Sequence, residues 1–219
     1  MAARAKAEGV GILLAGGAST RMGGGDKCLL PLGGRPLLRH VIERLRPQVE
    51  ALVINANEDP VRFAQFGLPA IPDLIGGRQG PLAGVHAGIA WARANYPEAR
   101  FVITAAADTP FFPSDLVDRF LAALGSGEPK LVVASSEQGL HPVFGLWPVA
   151  LASALEDSLR RGERKVSAWV TEHGAEEVYF PAAKIGGRKL DPFFNLNRPE
   201  DFAEAEALLA QEARRDAGG

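Results

Sequence analysis

The chain is short of several things that would point its function elsewhere. It has one cysteine, Cys28, in 219 residues, which excludes an intramolecular disulfide and suits a reducing compartment. No His/Cys spacing of the kind that holds zinc occurs. No apolar run approaches the length of a membrane-spanning helix. The short run near the amino end contains Gly9 and Gly11 and follows Glu8, so it reads as a first strand and not as a signal peptide. Charge of one sign is not in excess either: 24 basic and 26 acidic residues give a net charge of −2. There is then no global pull toward nucleic acid, and any phosphate recognition must be local. Repeats and linkers are absent. The expectation is one domain over 1–219, soluble and cytoplasmic, with a frayed tail at 214–219.

What is present begins with the run from Ile12 to Lys27. An apolar strand breaks into a glycine-rich loop that carries Arg21 and ends in Asp26-Lys27. Glycines let the backbone approach phosphates closely and turn its N–H groups toward them. Arg21 offers a planar fork and Lys27 a compact point charge. Two familiar loops are excluded by spacing. A Walker A loop needs Ser or Thr after its Lys, but Lys27 precedes Cys28. A dinucleotide fingerprint needs Gly-x-Gly-x-x-Gly, but Gly16-Gly17 is followed only later by Gly23-Gly24-Gly25. Cys28 as a nucleophile finds little support, because no motif sets a His beside it and Leu29-Leu30 reads as core.

Further along, short apolar runs alternate with helical periodicity. Strands are expected at 9–15, 51–55, 69–72, 101–106, 130–135, 143–147 and 177–180. Leu37, Leu38, Val41, Ile42 and Leu45 repeat at helical spacing, as do Leu82, Val85, Ile89 and Ala92 after Pro81. A helix opened by Ser114 or Asp115 runs through Leu116, Phe120 and Leu124, and a last one spans about 199–213. The fold class is therefore α/β: three layers, a mostly parallel sheet with helices on both faces. Such sheets bind ligand beyond the carboxyl ends of their strands. Asn55 and Asn57, Asp73, and Asp108 each follow a strand there. Singly, each is also a good Asx-turn or helix cap. Asp108 is the sharpest of them: Ala105-Ala106-Ala107 keeps bulk away, and Pro110 stiffens the chain after it. A lone carboxylate at such a point suits Mg²⁺, which takes one or two protein carboxylates together with phosphate oxygens.

The series Leu14-Ala15-Gly16-Gly17, Arg21-Met22-Gly23-Gly24, Asp26-Lys27, Asn55-Ala56-Asn57, Asp73, Gly80-Pro81-Leu82-Ala83-Gly84, Asp108-Thr109-Pro110, His141-Pro142, Gly162-Glu163-Arg164-Lys165 and Asn195-Leu196-Asn197 resembles the molybdenum cofactor guanylyltransferases (MobA-type). The resemblance runs in order from about Val10 to Leu209. It implies a nucleotide-diphospho-sugar-transferase-like, Rossmann-like fold, and GMP transfer from Mg-GTP to the phosphate of molybdopterin with release of pyrophosphate. It implies that Leu14, Ala15 and Gly16 line the nucleoside pocket, that Asn55 and Asp73 contact the nucleoside, that Lys27 holds the triphosphate, and that Asp108 binds nucleotide and Mg²⁺. Arg21, Gly17, Gly24, Gly80, Pro81, Leu82, Gly84, Arg164, Asn195 and Asn197 would shape the molybdopterin side, with Arg21, Lys27 and Asp108 as the catalytic set. Transient contact with enzymes that deliver or receive the cofactor follows from the same resemblance.

Alternatives remain beside this reading. Relatives that transfer CMP tend to carry Ala-Ala-Gly where this chain has Ala15-Gly16-Gly17. Another small-phosphate nucleotidyltransferase, or a GTP-sensing module without catalysis, would share the glycine loop. Arg164 and Lys165 fit a solvated charged turn, and Asn195 and Asn197 fit turn formers ahead of the last helix. His141 at a strand start reads as structural; His40, His86 and His173 read as helix residues without partners. Trp91, Trp147 and Trp169 read as core filling.

Overall fold

In the computed structural model, residues 7–16, 26–57, 59–76, 80–125 and 130–216 are described. In chain order the elements are β1 (Ala7–Leu14), the small hairpin β2 (Pro31–Leu32) and β3 (Arg35–Pro36), α1 (Leu37–Leu45), β4 (Val49–Asn55) and β5 (Ala70–Ile71). Then come α2 (Pro81–Asn95), β6 (Phe101–Ala106), α3 (Leu116–Leu124), β7 (Val132–Ser136) and β8 (Gly139–Pro148). The chain continues through α4 (Ala152–Arg160), α5 (Val166–Glu172), β9 (Glu176–Tyr179), a hairpin β10 (Ala183–Ile185) and β11 (Arg188–Leu190), and α6 (Pro199–Asp216).

Seven strands form one sheet in the order β5-β4-β1-β6-β8-β7-β9. β8 runs antiparallel to both neighbours, and the other pairings are parallel. The expected, mostly parallel sheet is therefore present, with one strand reversed inside it. Period-two alternation splits the core between the two faces. Leu13, Leu52, Ile54 and Ile103 pack against Leu38, Ile42 and Leu45 of α1 and Val117 and Phe120 of α3. Val10, Ile12, Val53 and Val102 pack against Leu82, Val85 and Ile89 of α2, with Leu155 and Leu159 of α4 and Trp169 of α5. A smaller cluster joins Leu32 and Leu37 to Ile185, Leu196, Ala205 and Leu208, docking α6 and the β10–β11 hairpin.

Local chemistry explains the element ends. Pro81 occupies the first turn of α2, where its missing N–H is not needed. Glu200 and Asp201 lie in the first turn of α6 and Arg214 and Arg215 in its last, each complementing the helix dipole. α6 extends to Asp216; the remainder of the tail, 217–219, lies outside the described residues. α4 and α5 were not individually foreseen, nor was the β10–β11 hairpin. Trp147 and Trp169 fill the core, as expected, and each indole N–H is satisfied there, by Thr104 Oγ1 and Ser158 Oγ respectively, at 2.9 Å. No helix among the described residues is long and apolar enough to cross a membrane.

Candidate active site

Parallel strands β4, β1 and β6 end side by side, and their backbones continue to bond past the regular ladder. Ala15 N–H donates to Asn55 O at 2.9 Å, and Ala107 N–H donates to Leu14 O at 3.2 Å. This fixes where Leu14, Ala15 and Gly16 end relative to Asn55 and Asp108. Two polar groupings are built on that edge.

The first joins Asn55, Asn57 and Asp73. Asn55, nearly fully buried, donates from Nδ2 to Asp73 Oδ1 at 3.0 Å and to Ile71 O at 3.3 Å. Asn57 Nδ2 donates to Asp73 Oδ2 at 2.8 Å, and its Oδ1 accepts from the Asp73 N–H at 2.8 Å. These side chains are bonded to each other across two strand ends, so none of the three serves as a helix cap. Gly84 packs against this group. A Cβ there would collide with Asn55 Oδ1 and come within 2.6 Å of Leu14 Cδ2. Gly80, with φ +73°, turns the chain into α2, and a side chain there would sit 3.4 Å from the Arg164 carbonyl oxygen. Gly84 thus belongs with Leu14 and Asn55, the residues expected at the nucleoside. Arg164 itself is exposed in the connection between α4 and α5.

The second grouping centres on Lys27. Its Nζ lies 2.5 Å from Asp108 Oδ2, donates to Asn197 Oδ1 at 2.6 Å and reaches Asn195 Oδ1 at 3.4 Å. An ammonium has three donors, and all three are directed at these partners. Lys27 and Asp108 have side chains only 13% and 22% exposed, so their attraction is less screened than at an open surface. A backbone bond from Leu196 N–H to Asp108 O, 3.0 Å, holds the late segment on the loop after β6. The capping alternative for Asn195 and Asn197 is decided by Asp201. Its carboxylate accepts from the Asn197 and Arg198 N–H groups at 2.7 and 2.8 Å, so Asp201 caps the helix and the two asparagine side chains turn to Lys27. Asp26, just before Lys27, pairs with Arg62 at 3.0 Å.

Arg21, Gly17 and Gly24 lie outside the described residues. Cys28 is buried, and burial, with Asp26 and Asp108 nearby, pushes its thiol up to about 12; it is an inert thiol and not a nucleophile. Two of the histidines expected to lack partners have them. His40 Nε2 lies 2.8 Å from Leu32 O, and His173 bonds Trp169 O and stacks on its ring. His86 does sit buried with Nδ1 unbonded. His141 bonds Ser136 beside Asp191. Neither Ser136 nor Asp191 was singled out from sequence, because only the fold brings position 136 to position 191.

Among the described residues no three His, Cys, Asp or Glu side chains cluster as a self-sufficient metal site. A divalent cation completed by phosphate oxygens needs only one or two protein carboxylates, and Asp108, paired with Lys27 at the end of β6, is a carboxylate that could serve.

Comparison with known proteins agrees with this architecture. The MobA-like NTP transferase domain family matches residues 11–178. The chain is 49% identical to a molybdenum cofactor guanylyltransferase of Mesorhizobium japonicum over 91% of this chain and 95% of that one. It is 48% identical to the protein of that name from Bradyrhizobium sp., over 93% of this chain and 94% of that one. Among solved structures, the molybdopterin-guanine dinucleotide biosynthesis protein A of Archaeoglobus fulgidus superposes with a TM-score of 0.66 at 23% identity, covering 92% of this chain and 99% of that chain. The sheet, the strand-end groupings and these likenesses together show that the chain belongs to the MobA-like NTP transferase family.

Proposed function

We propose that the protein transfers GMP from GTP to the phosphate of molybdopterin, releasing pyrophosphate. The observation that carries this reading is the convergence of Lys27, Asp108, Asn195 and Asn197 at the carboxyl edge of the parallel strands, in a chain nearly half identical along its length to proteins of that name. An anionic nucleophile must approach an anionic triphosphate. Two unit charges 4 Å apart repel by about 4 kcal/mol at an effective dielectric near 20, so cationic groups are needed where those charges meet. The acceptor phosphate oxygen attacks the α-phosphorus; a new P–O bond forms, the α–β bridging bond breaks, and the electron pair leaves with pyrophosphate. No general base is required, because the acceptor phosphate is already ionised at neutral pH.

In this reading Lys27 turns from Asp108 to the triphosphate, and Asp108 would be the residue to hold Mg²⁺. Bound there, Mg²⁺ would shield the triphosphate and favour departure of pyrophosphate. Asn195 and Asn197 keep Lys27 oriented while it changes partner. Asn55 and Asp73, cross-bonded and held by Gly84, present a fixed polar edge to the nucleoside, with Leu14, Ala15 and Gly16 as its floor. Arg21 is assigned to the phosphates by its place in the glycine loop. Positioning and charge neutralisation supply the catalysis. A cytoplasmic location belongs to the same proposal, supported by the single buried thiol, and enzymes that supply molybdopterin or take the product are the expected transient partners.

Mass spectrometry of the product formed from each nucleoside triphosphate with molybdopterin and Mg²⁺ tests this. A GMP adduct with one pyrophosphate per turnover is expected. A CMP adduct moves the protein to cytidylyl transfer, and GTP binding without product removes catalysis.

A further inference from the structure

Beyond Asn195 the surface opens into a cavity of about 480 Å³. Its walls are largely apolar, with Leu140, Val143, Phe144, Phe193 and Phe194 among them, and Thr109 and Asn195 stand at the side that adjoins Asp108 and Lys27. Gln138, His141 and Asp191 are the other polar residues along it. The His141 ring packs on Phe193 with centroids 4.5 Å apart.

The hydrogen bonds around His141 assign its proton. Ser136 Oγ lies 2.5 Å from Asp191 Oδ2 and 2.7 Å from His141 Nε2, and it accepts from the Gln138 N–H at 3.1 Å. A carboxylate only accepts, so the single hydroxyl proton goes to Asp191. His141 must therefore donate from Nε2 to Ser136. This order is the reverse of a nucleophilic triad, in which serine donates to histidine and histidine to aspartate. The serine is disarmed, and a hydrolase reading of the cluster fails. Asp191 is held in place as well, since its Oδ1 accepts from the Phe193 N–H at 2.8 Å. Burial lowers the imidazole pKa from its ordinary 6.5 against the opposing influence of Asp191, and so favours the neutral ring. A neutral ring with its proton on Nε2 has an acceptor at Nδ1, and no described residue bonds that atom. Asp191 and Ser136 thus act on His141 as positioning residues, and Asp191 also anchors the turn that leads to Asn195.

We propose that this cavity receives the ring system of the acceptor, and that His141 selects it by accepting a hydrogen bond at Nδ1 from a ring N–H. The inference rests on the acceptor named above and adds where that acceptor lies. A flat heterocycle with N–H groups suits aromatic walls with a fixed acceptor among them, and the phosphate at its far end is then directed past Thr109 and Asn195 toward Lys27.

Two substitutions separate recognition from support. A glutamine amide reaches the Nε2 position and keeps the Ser136 bond but offers nothing at Nδ1; an asparagine amide reaches the Nδ1 position and loses Ser136. With saturating GTP and varied molybdopterin, His141→Gln should raise KM for molybdopterin about three- to tenfold. His141→Asn should fall nearer the wild type, and GTP affinity measured calorimetrically without acceptor should hold in both. A phosphate-free pterin, followed by its own fluorescence, should bind the wild type, resist displacement by GTP, and bind His141→Gln more weakly by the same factor. An unchanged acceptor KM and unchanged pterin binding in His141→Gln, with turnover intact, would overturn the inference and leave the transferase reading standing. Pterin binding that depends on His141 in a protein that makes no product would do the opposite.

Discussion

Asp108→Asn should divide the two jobs of one carboxylate. In the free protein Asp108 neutralises Lys27 across 2.5 Å. The gross attraction at that distance is about 7 kcal/mol at an effective dielectric near 20, and desolvation of the two groups cancels much of it. The asparagine keeps the shape and removes the charge, leaving Lys27 with only amide oxygens. The lysine is then free to meet a triphosphate without first giving up a carboxylate. One charge-assisted hydrogen bond is worth about 1.5–3 kcal/mol, so GTP without metal should bind about 10- to 100-fold more tightly to the variant. Catalysis should move the other way. If Asp108 holds the metal as proposed, its loss should lower turnover with Mg²⁺ by at least about 10²–10³. Calorimetric titration of GTP in EDTA gives the first quantity and pyrophosphate release the second. Weaker metal-free binding together with near-normal turnover would refute the idea that Lys27 and Asp108 exchange each other for substrate.

Other outcomes follow from single features. Lys27→Ala should lose about 10²–10³ in kcat/KM while circular dichroism stays native; retained turnover would remove Lys27 from the site. Gly84→Ala forces a methyl against Asn55 Oδ1 and Leu14, which should cost about 1–3 kcal/mol of stability and raise KM for GTP; a Tm and KM equal to the wild type would disconnect α2 from the nucleoside edge. Cys28, with its thiol pushed up to about 12, should resist iodoacetamide at pH 8 in the native protein and react on denaturation. His86 is held neutral chiefly by burial, which lowers its pKa below 6.5. The unfolded chain therefore binds the extra proton first as pH falls. This stability is intact above about 6.5 and drains away below it, and His86→Phe should flatten the loss of Tm between pH 7 and 5.

The parts of the site visible in the sequence were those whose chemistry is local. Lys27 after a glycine loop, and Asp108 after a run of alanines, carry their meaning within a few residues. Asn195 and Asn197 were legible only as a choice, because an asparagine before a proline-started helix serves a cap as well as a ligand. Asp201 resolves that choice by taking the capping role, and it does so through contacts that no spacing encodes. Ser136, His141 and Asp191 were illegible as a group, since their proximity depends on β8 reversing direction inside a parallel sheet. The reversal itself has a local cause: two residues, Glu137 and Gln138, separate β7 from β8, too few for a parallel crossover. α4 carries Leu155 and Leu159 four residues apart on its buried face, but a nine-residue helix running directly into the charged 160–165 segment gives too short an apolar period to stand out in the sequence.

The lysine shell closes over an unusual distance along the chain: Asn195 and Asn197 stand 168 and 170 positions after Lys27. During synthesis the glycine loop leaves the ribosome long before the segment that orients its cation. The arrangement around this lysine can therefore form only after position 197 has emerged.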